Sequence, residues 1–167
     1  MSLNLDISLS TGMTEDLVAG YVIDATREVF STVVMMEVAD HFPLKEPVHD
    51  FEGSITGMIG LAGTYSGLIS INCPLALALK VTSVMVGSEG DEVANDLNDA
   101  IGEITNMLGG CVKLLLAKWG LDVKMSIPTV ISGDNYFITS LSDSDCIVVP
   151  FTVGEHTMFV GLTLKKE

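Results

Sequence analysis

The chain has 167 residues, of which 48% are hydrophobic and 18% charged, and its 22 acidic against 8 basic side chains give a formal charge of −14. That composition excludes a disordered chain, and a field of that sign repels nucleic acid and anionic lipid while favouring basic proteins or metal-bearing sites. No uninterrupted apolar run reaches the roughly 18 residues of a membrane helix, and the start (M-S-L-N-L-D-I-S-L-S) lacks the basic and continuously apolar stretches of a secretory signal. The expectation is one cytoplasmic domain over 1–167, with its core at about 14–165. Cys73, Cys111 and Cys146 are far apart and without histidines at ligand spacing, which reads as buried free thiols.

In chain order, Leu17, Val18, Tyr21, Val22, Ala25, Val29, Val33 and Met36 recur at spacings of three and four, predicting a helix from Thr14 to about Val38. Thr14 suits an N-cap, with Glu15 and Asp16 in the first turn where the dipole favours anions. Pro43 and Pro47 predict a loop. Two strands follow, about Ser54–Leu61 and Gly67–Asn72, joined as a hairpin through Ala62 to Ser66. Pro74 suits the first turn of a second helix reaching about Val86. After a loop over Gly87–Asp91, a third and longest helix runs from about Ala94 to Trp119 and stops at Gly120.

The remainder reads as strands. Val123–Ile131 is interrupted by Pro128, so it is bent or at an edge. Tyr136–Leu141, Ile147–Val153 and Thr157–Leu164 follow, the last two joined by a Gly154–His156 turn. Short connections imply an α+β fold with a mostly antiparallel six-stranded sheet, two long helices on one face and one shorter helix. An echo between Asp24/Glu28/Ser31 on the first helix and Asp99/Glu103/Asn106 on the third suggests two related halves.

On a wheel of about 100° per residue, Ile101, Ile104, Leu108, Cys111, Val112, Leu115 and Trp119 form a core stripe. Asp99, Glu103, Asn106, Gly110 and Lys113 fall opposite, with Glu103 and Asn106 neighbours at i, i+3. A mid-helix Asn followed by Gly109 and Gly110 lowers local helix propensity beside the polar pair. Two readings stand on pattern alone: a solvated face whose glycines pack against a neighbouring helix, or a bare patch to which another backbone docks. His41, His49 and His156 stand alone, and the glycines at Gly57, Gly60 and Gly63 lie in a hairpin rather than opening a helix as a phosphate loop would.

The run Asp99-Ala-Ile-Gly-Glu103-Ile-Thr-Asn106-Met-Leu-Gly-Gly110 resembles the signature helix of the CheX/CheC/FliY phosphatases of bacterial chemotaxis. The resemblance extends to Gly67–Ile71, Ala78–Gly87 and Ile127–Gly133, and so covers most of the chain. It implies a CheX-type hydrolase that removes phosphate from the phospho-aspartate of a CheY-type response regulator. Asn106 would orient the attacking water and Glu103 would anchor the regulator as its catalytic pair. Asp99, Gly109, Gly110 and Lys113 would support partner binding. No cofactor or metal of its own is implied; Mg2+ is expected in the partner regulator. Family members of this type are homodimers joined through sheet edges, and the same is expected here. Ser31 stands where a second active copy would carry Asn, so the face with Asp24 and Glu28 is expected to be silent. The alternative is a regulator-binding module of the same fold that hydrolyses nothing; a structural relative of the flagellar protein FliY fits less well.

Overall fold

The computed structural model describes residues 12–44, 46, 48–138 and 146–166. Helix α1 spans Glu15–Val29, and Thr14 caps it, its side chain accepting from the Leu17 amide at 3.2 Å. The periodicity predicted a helix to Val38, but the regular ladder ends at Val29 and passes into a π turn over Phe30–Val34. The hydroxyls of Ser31 and Thr32 both donate to the Glu28 carbonyl, offering that acceptor partners other than the backbone. Met35 then reverses the chain in the left-handed region, φ 57.

Strand β1 is the pair Ala39–Asp40, inside the expected loop, and the segment continues alongside a later strand through bonds from the His41 and Leu44 amides. Strands β2 (Asp50–Gly63) and β3 (Tyr65–Pro74) form the expected hairpin, longer at both ends than predicted. Helix α2 spans Leu75–Val86. A short 3₁₀ turn over Asp91–Asp96 takes up the expected start of the third helix, so α3 itself spans Leu97–Ala117. Gly120 ends the following turn at φ 76, as its position predicted.

Strands β4 (Val123–Met125) and β5 (Thr129–Phe137) both pair with β2, and the interruption between them falls at Pro128 as expected. The expected strands end at Ile131 and resume at Tyr136, yet β5 continues through Ser132–Asn135. It does so because this is an outer strand whose residues there are exposed, where polar side chains carry no burial cost. The last residues of the expected 136–141 strand lie outside the described residues. Strands β6 (Cys146–Val153) and β7 (His156–Lys166) close the chain as an antiparallel hairpin.

The sheet order is β1-β6-β7-β3-β2 followed by the collinear β4 and β5, all antiparallel. Among the described residues there are seven strands where six were expected, the addition being β1, since two strands were already expected where β4 and β5 lie. The order reads the same under exchange of α1-β1-β2-β3 with α3-β4/β5-β6-β7, so the sequence echo has a counterpart in topology. Each half lends its outer strand to the other's hairpin: β1 lies on β6, and β5 lies on β2.

The core lies between the helices and one face of the sheet. Ile55, Ile59, Ile69, Ile71, Val149, Phe151, Val160 and Leu162 meet Val18, Val22 and Val29 of α1 and Ile101, Ile104 and Leu108 of α3. By length and composition the segment Asp91–Ala117 could cross a membrane, but half of its apolar window is buried inside the domain, which makes it a core helix. The opposite face of the sheet carries a buried polar cluster. The Asn72 side-chain amide donates to Ser54 Oγ at 3.0 Å and Thr56 Oγ1 at 2.8 Å, and the Tyr136 hydroxyl bridges the same two oxygens.

Candidate functional site

One contact fixes how closely α3 lies on the sheet. Thr105 is fully buried and its hydroxyl donates to the Ile101 carbonyl at 2.6 Å, one turn back. It points at Gly57 of β2, where a side-chain methyl would overlap the hydroxyl. A second close approach lies a turn further on, where a methyl at Gly109 would meet Met125 Sδ at 3.3 Å and Ile59 Cδ1 at 3.5 Å. Gly109 is thus buried against the sheet, not displayed to a partner, so its expected partner-binding role gives way to packing of the helix on β2 and β4. Gly110, with nothing within 4 Å of its missing side chain, is the bare position.

With α3 held in this way, Asp99, Glu103 and Asn106 are exposed on its outer face. They line one wall of a groove of about 740 Å³, together with Asn98 and Gly102. Among the described residues, no hydrogen bond or ion pair engages the side chains of Asp99, Glu103 or Asn106. Gly110 and Lys113, placed on the same face by sequence, are half-buried and lie beyond the groove.

The opposite wall was not foreseen. It is formed by Ser126, Ile127 and Pro128 from the break between β4 and β5, and by Val130 at the start of β5. Only Pro128, already marked as an interruption, hinted at it locally. A side-chain atom placed on Gly102 would lie 3.8 Å from Val130 and 3.9 Å from Pro128, so this wall rests directly on the helix.

The corresponding face of α1 is differently built. Asp24, Glu28 and Ser31 are all exposed, but Asp24 and Glu28 border one depression with Cys111 and Lys118, while Ser31 borders another with Arg27 and Met35. Ser31 falls within the π turn and its hydroxyl donates to the Glu28 carbonyl at 3.1 Å. It is therefore occupied by its own helix, in addition to being shorter than Asn.

The thiols follow from burial. Cys73 is buried in the core, which pushes its pKa up to about 12. Cys111 is raised by burial and then by the Glu28 carboxylate beside it. Neither is poised as a nucleophile. Among the described residues, no group of three or more His, Cys, Asp and Glu side chains is placed to hold a metal ion.

Comparison with known proteins gives this geometry a family. The model described as "Chemotaxis phosphatase CheX" matches residues 55–152, which include the groove on both sides. The CheY-P phosphatase CheX of Thermotoga maritima is 34% identical over 88 residues, covering 52% of this chain and 57% of that protein. The chain therefore matches little more than half the length of that curated relative. The crystal structure of the chemotaxis protein CheX from Desulfovibrio desulfuricans superposes with a TM-score of 0.81 at 27% identity, covering 89% of this chain and 99% of that one. A CheX–CheY–BeF3–Mg2+ complex from Borrelia burgdorferi gives a TM-score of 0.71 at 19% identity, over 89% and 98%, and so shows the shared fold. The groove-bearing helix, the paired half-sheets and the matched family model lead to one statement: the chain belongs to the CheX family of chemotaxis phosphatases.

Proposed function

We propose that the protein hydrolyses the phospho-aspartate of a CheY-type response regulator in the cytoplasm, with Asn106 orienting water and Glu103 anchoring the partner. The observation that carries this reading is the exposed, unengaged Glu103/Asn106 pair on the wall of a groove, on a helix that close packing holds in place. Support comes from the curated relative, which is a CheY-P phosphatase, and from the Borrelia complex, in which a CheX protein is bound to CheY.

The chemistry needs little more from this chain. An aspartyl phosphate is already reactive, and the regulator brings the Mg2+ and a lysine that neutralise its charge. What is missing is a water held in line with the scissile bond, and a neutral amide donates to and accepts from that water without repelling phosphoryl oxygens. Glu103, one turn earlier, is placed to pair with the regulator's lysine. Asp99 lies a further turn back on the groove wall as a supporting contact. Gly110 leaves space for close approach, and Lys113 extends the same helix face. Self-association through a sheet edge belongs to the same proposal; β5, with nine residues, offers a longer edge than β1 with two.

The test mixes the protein with a phosphorylated CheY-type regulator in magnesium and follows phosphate release. Wild type accelerates release, Asn106→Ala abolishes the acceleration, and Glu103→Ala weakens binding. Equal behaviour of wild type and Asn106→Ala overturns the catalytic assignment, and binding without acceleration identifies a docking module instead.

A further inference from the structure

Ile127 is one of the most exposed large apolar residues described, at 84% relative accessibility, and it lies on the groove wall facing Glu103 and Asn106. Its position is built. Met58 pairs with Thr129 and Leu61 with Met125, so Ile59 and Gly60 of β2 stand opposite three residues, Ser126, Ile127 and Pro128. That is a β-bulge, a device that re-aims a side chain at a sheet edge. Ser126 clamps it: its amide donates to the Gly60 carbonyl at 2.9 Å, and its hydroxyl accepts from the Gly60 amide at 2.9 Å and donates to the Ile127 carbonyl at 2.9 Å. Pro128 fixes the other side by resting over Gly102 of α3.

We infer that Ile127 is a docking anchor that seats in an apolar patch beside the acid pocket of the phosphorylated regulator, setting partner affinity without touching the reaction. This rests on the functional reading above. The bulge needs no apolar side chain at its tip, since the clamp uses only Ser126, backbone groups and Pro128. A solvent-exposed Ile there gains nothing from folding. Asp99 and Glu103 make the facing wall acidic, so polar attraction there acts on few groups of a phosphate-bearing partner. An apolar contact adds affinity that charge on this face does not supply, and central apolar anchors beside polar contacts are a recurrent interface pattern.

The test separates KM from kcat for dephosphorylation of a CheY-type regulator charged with acetyl phosphate in magnesium. Ile127→Ala and Ile127→Asp are expected to raise KM by roughly tenfold or more, with kcat held within about twofold, while Ile127→Leu stays near wild type. Unchanged thermal stability and sedimentation accompany this result, because the side chain is outside the core. An unchanged KM overturns the inference, as does a loss confined to kcat or a change of oligomeric state in Ile127→Asp. If wild type binds the regulator but does not accelerate release, the catalytic reading fails. The anchor is then judged by the dissociation constant, which Ile127→Asp must still raise. Absence of any binding overturns both.

Discussion

Replacing Gly57 with Ala tests whether the contact between β2 and α3 positions the groove. The added methyl overlaps Thr105 Oγ1 and comes within 3.2 Å of both Thr105 Cβ and Ile101 Cγ2. Thr105 cannot turn away cheaply, because its hydroxyl is bonded to the Ile101 carbonyl and the residue is fully buried. The helix must retreat instead, by on the order of 1 Å, and overpacking of this kind costs roughly 1–3 kcal/mol. For a domain of this size that lowers Tm by roughly 2–12 °C. A displacement of about 1 Å at a positioning residue costs on the order of 100-fold in rate. Calorimetry and phosphate release from the phosphorylated regulator read both effects. The discriminating variant is Gly57→Ala with Thr105→Ala, which removes the overlapping hydroxyl. Its loss of stability is expected to be smaller than the sum of the two single losses, since the sites touch. Strict additivity, or a Gly57→Ala protein as stable as wild type, refutes the reasoning.

Other outcomes follow from the same geometry. Because the α1 copy has Ser31 tied to Glu28, Asn106→Ala alone is expected to remove all acceleration, with no residue left from a second site in single-turnover measurements. Tyr136→Phe removes a hydroxyl shared by Ser54 and Thr56 and is expected to cost about 1–3 kcal/mol in denaturant unfolding. Toward an aromatic disulfide reagent, Cys73, with its pKa at about 12, is expected to react only on unfolding, and half-exposed Cys111 sooner. Both are raised, so thiolate is scarce below the pKa and reaction accelerates as pH rises. Glu28→Gln removes the smaller of the two causes acting on Cys111, and its reaction is expected to accelerate at fixed pH.

What was legible in the sequence was local. Thr14 as a cap, Gly120 as a stop and the buried Ile101, Ile104, Leu108 and Val112 of α3 depend on neighbours within a turn or two. So does the outward placement of Asp99, Glu103 and Asn106. Trp119, expected in the same buried stripe, is exposed beyond the end of α3. Interactions that compete with the local pattern were missed. Ser31 and Thr32 widened the end of α1 through a carbonyl that periodicity does not weigh. Ser132–Asn135 fell between two expected strands because composition does not reveal that the strand is at an edge. The wall bearing Ile127 was invisible for a third reason: pairing with β2, distant in sequence, brings it to α3. Gly109 is expected at the partner surface beside Gly110, yet it packs on Met125 and Ile59, because how closely a helix lies on a sheet depends on strands distant in sequence.

The exchange of outer strands has a kinetic consequence. The central pairing of β3 with β7 joins residues from opposite parts of the chain, and neither hairpin has its outer neighbour until the other half arrives. Long loops must close before such contacts repay the entropy, so assembly is expected to be slow for the domain's size and all-or-none. An isolated half would present a hairpin with one side unmatched and an apolar face uncovered. That interdependence also frees the two outer helix faces from structural duty. Mutations could erase the working side chains of one face without weakening the scaffold that displays the other.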